Sequence, residues 1–165
     1  MEDGLRQILP AYDLSDAVAV LRSAHGTVAQ KFGFTQDTNP SNSAFIDAET
    51  LREQLEKGIE LYLMTENQVV PVGCIAIEES KTEAETFYIE KVSVVPDCRN
   101  RGLGVELMNF ATSLIVERGG KHIGVALINE HEKLKAWYQQ QGFKEVLVKE
   151  YAHLPFNVCF MSKEI

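Results

Sequence analysis

The residues with the clearest chemical potential form the run RNRGLG, from Arg99 to Gly104. The apolar run VSVV precedes it and a run with helical spacing follows it, so the motif falls where a strand gives way to a helix. A helix start offers unpaired backbone N–H groups and the positive end of the helix dipole. Glycine at 102 and 104 leaves those amides open, and the guanidinium groups of Arg99 and Arg101 suit phosphate oxygens. The motif predicts an anion site that fits a pyrophosphate.

Two better-known phosphate motifs do not fit this stretch. A Walker loop requires GxxxxGK followed by serine or threonine, and the chain has no such run. A dinucleotide fingerprint would need glycine where Leu107 stands. A tight turn with two solvated arginines stays open as the alternative, because a single Gly-x-Gly is a weak signal.

Composition limits the class of protein. The 165 residues are 45% apolar and 24% charged, which predicts one globular domain over residues 1–165. No apolar run approaches the ~20 residues of a membrane span and no signal pattern opens the chain, so we expect a cytoplasmic protein without membrane contact. The net charge of -8 disfavours nucleic-acid partners and is compatible with a cationic acceptor. Three cysteines without CxxC spacing predict reduced thiols and no metal site.

The elements that must position the motif follow from periodicity and from turn residues. Residues 5–10 read as a strand, Ser15 and Gly33 bound a helix, and Asp47 caps a second helix. The remaining prediction is strands at 59–66, 69–79 and 86–95, a helix from Gly102, a strand at 122–128, a helix at 131–141 and a final strand pair at 143–151 and 156–164. This is a mixed α/β sheet with helices on it. Pro155 suggests a sheet edge or a dimer contact near the last strand, and homodimer formation stays open.

Two stretches carry a resemblance to a known family. RNRGLG resembles the R/Q-x-x-G-x-G/A motif of the GNAT superfamily of N-acetyltransferases, and VSVVPDC resembles the strand that leads into that motif. LKAWYQQQGF, from Leu134 to Phe143, resembles the later helix in which a tyrosine precedes Gly-Phe. The element order is similar from about Leu61 to Ser162. The resemblance implies a GNAT-like acyl-CoA N-acyltransferase fold, with a central, mostly antiparallel sheet and flanking helices.

The resemblance implies acetyl-CoA as the acyl donor. Its pyrophosphate would lie on the amides from Arg101 to Val105, and its pantetheine arm would pair with the backbone at Val92–Val94, where neighbouring strands must splay. The implied donor-binding residues on these two segments are Val92, Val94, Arg99, Asn100, Arg101, Gly102, Leu103, Gly104 and Val105. The family often has an asparagine seven residues before its tyrosine. Here that position is His131, so either His131 or Asn129 would make that contact.

Tyr138 and Glu90 are the candidate catalytic residues. Tyr138 matches the tyrosine that protonates the leaving thiolate in the family, and a phenol of pKa ~10 stays protonated at neutral pH. Its alternative role is that of a packed aromatic on an amphipathic helix. Strand alternation places Tyr88, Glu90, Val92 and Val94 on one side of the sheet, which makes Glu90 the leading general base. His25, His153 and ordered water remain alternatives for the base.

The sequence thus predicts an N-acetyltransferase that moves acetyl from acetyl-CoA to a primary amine of a small molecule, by direct attack in a ternary complex. The acceptor is expected between the early helices and the central strands, near residues 32–45, with Tyr62 and Tyr88 as walls. Two alternatives stay open. One is an acyl-CoA sensor or scaffold without turnover, and the other is an enzyme that acetylates proteins or peptides.

Overall fold

The structure is a computed structural model that describes residues 4–165. Across these residues the chain forms seven strands and four α-helices. In chain order they are β1 Leu5–Ile8, α1 Ser15–Phe32, α2 Ala48–Glu56, β2 Glu60–Glu66, β3 Val70–Glu79, β4 Thr86–Val94, α3 Leu103–Glu117, β5 His122–Ile128, α4 Glu132–Gln140, β6 Lys144–Glu150 and β7 Asn157–Glu164. Short 3-10 helices lie at Ser43–Phe45 and Pro96–Cys98.

All seven strands form one sheet, in the order β1-β2-β3-β4-β5-β7-β6. Every neighbouring pair is antiparallel except β4 and β5, which are parallel because α3 crosses between them. The predicted mixed α/β sheet is therefore confirmed. No helix within residues 4–165 combines the length and the apolar character needed to cross a membrane.

Helices cover the two faces of the sheet through separate apolar clusters. One cluster joins α3 and α4 to the sheet around Leu107, Ile123 and Met161, and we call this side the α3/α4 face. The other joins α1 and α2 to the sheet around Leu21 and Leu61, and we call it the α1/α2 face. Because strand residues alternate between faces, the cluster to which a side chain belongs identifies its side of the sheet.

The helix ends follow the predicted signals, with one shift. The Asp47 carboxylate accepts from the Thr50 amide at 2.7 Å and starts α2. Gly33 ends α1 in the left-handed region, at φ 71°. Ser15 is the first residue of α1 rather than its cap, and its amide donates to Asp13 Oδ1 at 2.9 Å. Leu14 therefore occupies the cap position without a side-chain capping bond, and the Asp13 carboxylate satisfies the first helical amide instead.

Of the two alternatives for the segment around Pro155, a sheet edge at the last strand is wrong, whereas a dimer contact stays open. β7 pairs with β5 on one side and β6 on the other, so β6 is the edge strand. Pro155 lies in the connection between β6 and β7, where a missing N–H costs no ladder hydrogen bond. β6 is exposed along its full length.

Candidate functional site

A gap opens between β4 and β5 in the middle of the sheet. The two strands pair only where Thr86–Tyr88 meets His122–Gly124. Beyond this point β4 continues along β3, and β5 continues along β7. The facing edges of β4 and β5 then separate and leave backbone groups without a strand partner. Val92 and Val94 lie on the β4 side of this gap, which is the splay that an extended ligand would need in order to pair with them.

A bulge interrupts β4 beside the gap. Ala76 of β3 pairs with Glu90, and Cys74 pairs with Ser93, so β4 has two residues where β3 has one. Lys91 takes the left-handed conformation at φ 55° within the bulge. This extra residue reverses which face the following side chains occupy.

The bulge overturns one sequence-based expectation. Glu90 lies opposite Ala76, which belongs to the α1/α2 cluster, whereas Val92 and Val94 pack on the α3/α4 cluster. Glu90 and the two valines therefore occupy opposite faces, and the prediction that they share a side is wrong. The sequence signal is the pair Glu90–Lys91, because two consecutive charged residues break the apolar alternation of a central strand.

Glu90 is a half-buried carboxyl with a perturbed pKa. Burial and a hydrogen bond with the Glu78 carboxyl raise the pKa of Glu90 to about 7. Glu78 lies diagonally across from it, since Glu78 pairs with Tyr88, two residues before Glu90. A carboxyl with this pKa exchanges protons readily at neutral pH, which suits a general base.

Tyr138 lies on the other side of the sheet from Glu90. Its ring is buried in the α3/α4 cluster, edge-on to Trp137 at 5.0 Å and to Phe143 at 5.6 Å between centroids. Burial raises the pKa of Tyr138 above that of a free phenol, so it remains a proton donor throughout the neutral range. Among the described residues, no side chain or carbonyl accepts a hydrogen bond from its hydroxyl. The ring of Tyr138 therefore packs in the cluster, while its hydroxyl remains free to donate a proton.

The start of α3 presents bare backbone amides. Asn100 and Gly102 both take left-handed conformations, at φ 62° and 79°. These conformations change the direction of the chain just before the helix begins. No side chain caps α3, and the first intrahelical bond is donated by the Glu106 amide to Gly102. The amides of the residues between them, Leu103 to Val105, are therefore free to meet an anion.

The two glycines of the motif are needed for different reasons. A Cβ on Gly102 would meet no atom within 4 Å, so the left-handed conformation is its only local constraint. A Cβ on Gly104 would lie 3.0 Å from Trp137 Cζ2. Gly104 therefore lets α4 approach the start of α3, and this contact fixes the helix that carries Tyr138 beside the free amides.

The two arginines of the motif already have protein partners. Arg99 donates to Val94 O at 3.2 Å, to Thr27 Oγ1 at 3.0 Å and to Ala24 O at 2.9 Å. It thereby ties the end of β4 to α1. Arg101 forms an exposed ion pair with Glu66. The contribution of either arginine to an anion stays a prediction, since neither guanidinium stands free.

Asn129 and His131 order the start of α4. Asn129 Oδ1 accepts from Lys135 Nζ at 2.6 Å, and the backbone N–H of Asn129 donates to Asn157 O at 2.8 Å. His131 Nδ1 accepts from the Leu134 amide at 3.3 Å and so caps the helix. Burial lowers the pKa of His131. The donor contact that the resemblance assigns to one of these two residues also stays a prediction.

A buried polar network supports the bulge, and sequence reasoning missed it. Ser93 Oγ donates to Lys91 O at 2.9 Å, so its lone pairs face His25 Nε2, also 2.9 Å away. This arrangement requires His25 to carry its proton on Nε2. Burial, with Lys91 and Arg99 nearby, lowers the pKa of His25 to about 4. A neutral histidine with an occupied Nε2 is a weaker candidate base than Glu90. His153 is exposed and lies edge-on to Tyr151, 5.8 Å between ring centroids.

A groove of about 600 Å³ runs along the sheet from Glu90. It lies over β4, β5, β7 and β6, and its lining includes Tyr88, Gly124 and Phe160. None of residues 32–45, near which the acceptor was expected, lines this groove, whereas Tyr88, one of the two expected walls, does. Tyr62 does not, because it packs on Phe110 within the α3/α4 cluster. Within residues 4–165, no three His, Cys, Asp or Glu side chains converge to hold a metal ion.

Known structures share this fold. The ribosomal-protein-S18-alanine N-acetyltransferase from Escherichia coli superposes with a TM-score of 0.73 at 16% identity, covering 98% of this chain and 94% of that one. An acetyltransferase from Thermus thermophilus gives 0.71 at 19% identity, over 98% and 97% of the two chains. A nourseothricin acetyltransferase gives 0.59 at 20% identity, over 66% of each. The predicted GNAT-like fold is confirmed.

The family itself is identified by sequence. A family model described as an acetyltransferase (GNAT) domain matches residues 34–164. The match includes the β4–β5 gap, the free amides of α3 and the helix of Tyr138. This chain therefore belongs to the GNAT acetyltransferase family.

Proposed function

We propose that this protein transfers the acetyl group of acetyl-CoA to a primary amine of a small molecule, by direct attack within a ternary complex. One observation carries the proposal. The β4–β5 gap separates a proton-donating phenol, Tyr138, on the α3/α4 face from a carboxyl of raised pKa, Glu90, on the α1/α2 face. A displacement reaction needs a base on the side of the nucleophile and an acid on the side of the leaving group.

The residues on the donor side fit acetyl-CoA. The free amides from Leu103 to Val105 would hold the pyrophosphate, and the unpaired edge of β4 at Val92 and Val94 would pair with the pantetheine amides. Gly102 leaves the approach to these amides open. Acetyl-CoA supplies an activated acetyl group as a thioester.

The catalytic residues divide the proton transfers between them. Glu90, as a carboxylate, removes a proton from the acceptor ammonium, so that the neutral nitrogen attacks the acetyl carbonyl carbon. Tyr138 donates its phenolic proton to the sulfur as the carbon–sulfur bond breaks. As the adduct collapses, its nitrogen loses its second proton to water and the Tyr138 phenolate is reprotonated from water, so the products are the acetylated amine and free CoA. No cysteine is needed, since the attack is direct.

Release of free thiol from acetyl-CoA tests the proposal. The panel includes polyamines, amino acids, aminoglycosides and peptides, each measured against a reaction without acceptor. Thiol release with a small amine supports the proposal. Transfer to peptides alone would favour a protein acetyltransferase, and acetyl-CoA binding without transfer to any member would favour a sensor.

A further inference from the structure

The groove over the sheet has an apolar floor, and the ring of Tyr88 covers part of its centre, because a Cβ on Gly124 would lie 2.9 Å from Tyr88 Cδ1. Gly124 and Ala126 of β5 lie there, and Phe160 of β7 pairs with Ala126 on the same face. Leu147 of β6 pairs in turn with Phe160 and is 47% exposed. The floor is therefore built to receive an extended aliphatic chain rather than a compact polar group.

Carboxylates stand at both ends of this floor. Glu90 marks the end beside the β4–β5 gap, and Glu83 and Glu164 mark the other end. Among the described residues that line the groove, only His122 is able to carry a positive charge. Within this described lining, the Glu83–Glu164 end therefore has no cationic group besides His122 that would neutralise its carboxylates, whereas the Lys91 ammonium acts on Glu90 from outside the lining.

The strand register gives the separation of the two ends. Thr86, His122 and Glu164 lie level with one another across β4, β5 and β7. Glu90 stands four residues beyond Thr86 along β4. Strand rise and strand spacing then place the Cα atoms of Glu90 and Glu164 about 16 Å apart. Because strand side chains stand roughly perpendicular to the sheet, the carboxylates lie at a comparable separation, and a chain with a cation at each end fits between them.

We propose that the acceptor is an aliphatic diamine or polyamine, whose distal ammonium binds at Glu83 and Glu164 while its reacting amine lies at Glu90. This assignment rests on the proposed function and names the substrate class of the same site. The apolar middle of the molecule lies on Tyr88, Ala126 and Phe160. An α-amino acid fits poorly, because its carboxylate would lie beside the Glu90–Glu78 pair.

The test compares a diamine with its matched monoamine. We expect cadaverine and spermidine to give a higher kcat/KM than pentylamine, because only they have a second ammonium. Glu164→Gln should lower the ratio of cadaverine to pentylamine by about two- to fivefold, the effect of one exposed ion pair. Glu145→Gln is the matched control, because Glu145 pairs with Met161 on the opposite face of the same sheet region. It should leave the ratio unchanged.

A binding measurement separates this inference from the proposed function. Calorimetric titration of the intact chain with cadaverine and with pentylamine needs no turnover. Preferential binding of cadaverine that weakens in Glu164→Gln supports the inference even if no amine is acetylated. Equal use or binding of the two amines, no measurable cadaverine binding, or equal losses in Glu164→Gln and Glu145→Gln would each overturn it, even where acetyl transfer to other amines upholds the proposed function.

Discussion

The turn before α3 and the groove over the sheet are built in opposite ways. The turn, residues 99–105, is one continuous segment, and its proposed binding groups are backbone amides. The groove is assembled from residues between 83 and 164 on four strands, and side chains supply its chemistry. A continuous backbone site tolerates substitution of most of its side chains, whereas the groove changes character with single substitutions. This difference predicts that proteins with this fold bind the same acyl donor but differ in the acceptor molecule they bind.

The largest expected effect comes from Tyr138→Phe, which tests the donor side of the gap. We expect kcat to fall about 1,000-fold, because the buried site offers the leaving sulfur no substitute proton donor. The dissociation constant of acetyl-CoA, measured by calorimetry, should not change, since the ring and its packing remain. Tyr12→Phe is the control on an exposed tyrosine. Unchanged turnover would remove Tyr138 from the mechanism.

Glu90→Gln tests the acceptor side of the gap. We expect a fall in kcat of about 100-fold, smaller than for Tyr138→Phe because water in the open groove is able to accept the proton in part. The pKa of Glu90 is about 7, and the carboxylate is the active form, so the wild-type rate should rise as pH increases through 7.

In Glu90→Gln the rise in rate through pH 7 should disappear from the pH–rate profile. Glu79→Gln, at an exposed neighbour of Glu78, should retain it. A limb of unchanged position and height in Glu90→Gln would assign the base to water or to a histidine.

Ser93→Ala tests the junction between the two regions. It removes the hydroxyl that joins His25 to the Lys91 carbonyl and leaves a buried donor without a partner. We expect the free energy of unfolding to fall by about 1–3 kcal/mol in urea titrations. Ser113→Ala, on the exposed side of α3, should have no such effect. Equal stability of the two variants would show that the network does not hold the bulge.

The smallest expected effects come from the two glycines. Gly102→Ala should lower the free energy of unfolding by about 1 kcal/mol through its left-handed backbone. Gly104→Ala should instead disturb Trp137, the chain's single tryptophan, and so shift its fluorescence. Identical fluorescence in both variants would contradict the separate roles assigned to the two positions.

Local features were predictable, whereas features that depend on strand order were not. The cap at Asp47, the end of α1 at Gly33 and the turn into α3 each depend on a few adjacent residues. The bulge at Lys91 places Val92 on the opposite face from the one that strict alternation of strand residues predicts. Alternation alone does not reveal an inserted residue. The groove requires β7 to insert between β5 and β6, a pairing that no short stretch encodes.

The exposed edge strand β6 has a consequence for how the molecule opens. It has one hydrogen-bonded neighbour and solvent on both faces, whereas β3 and β4 lie in the middle of the sheet. Local unfolding therefore starts at β6, and its amide protons should exchange with deuterium well before those of β3. Leu147, which forms part of the groove floor, moves with this strand. The width of the proposed acceptor site is then set by a weakly protected segment of the sheet.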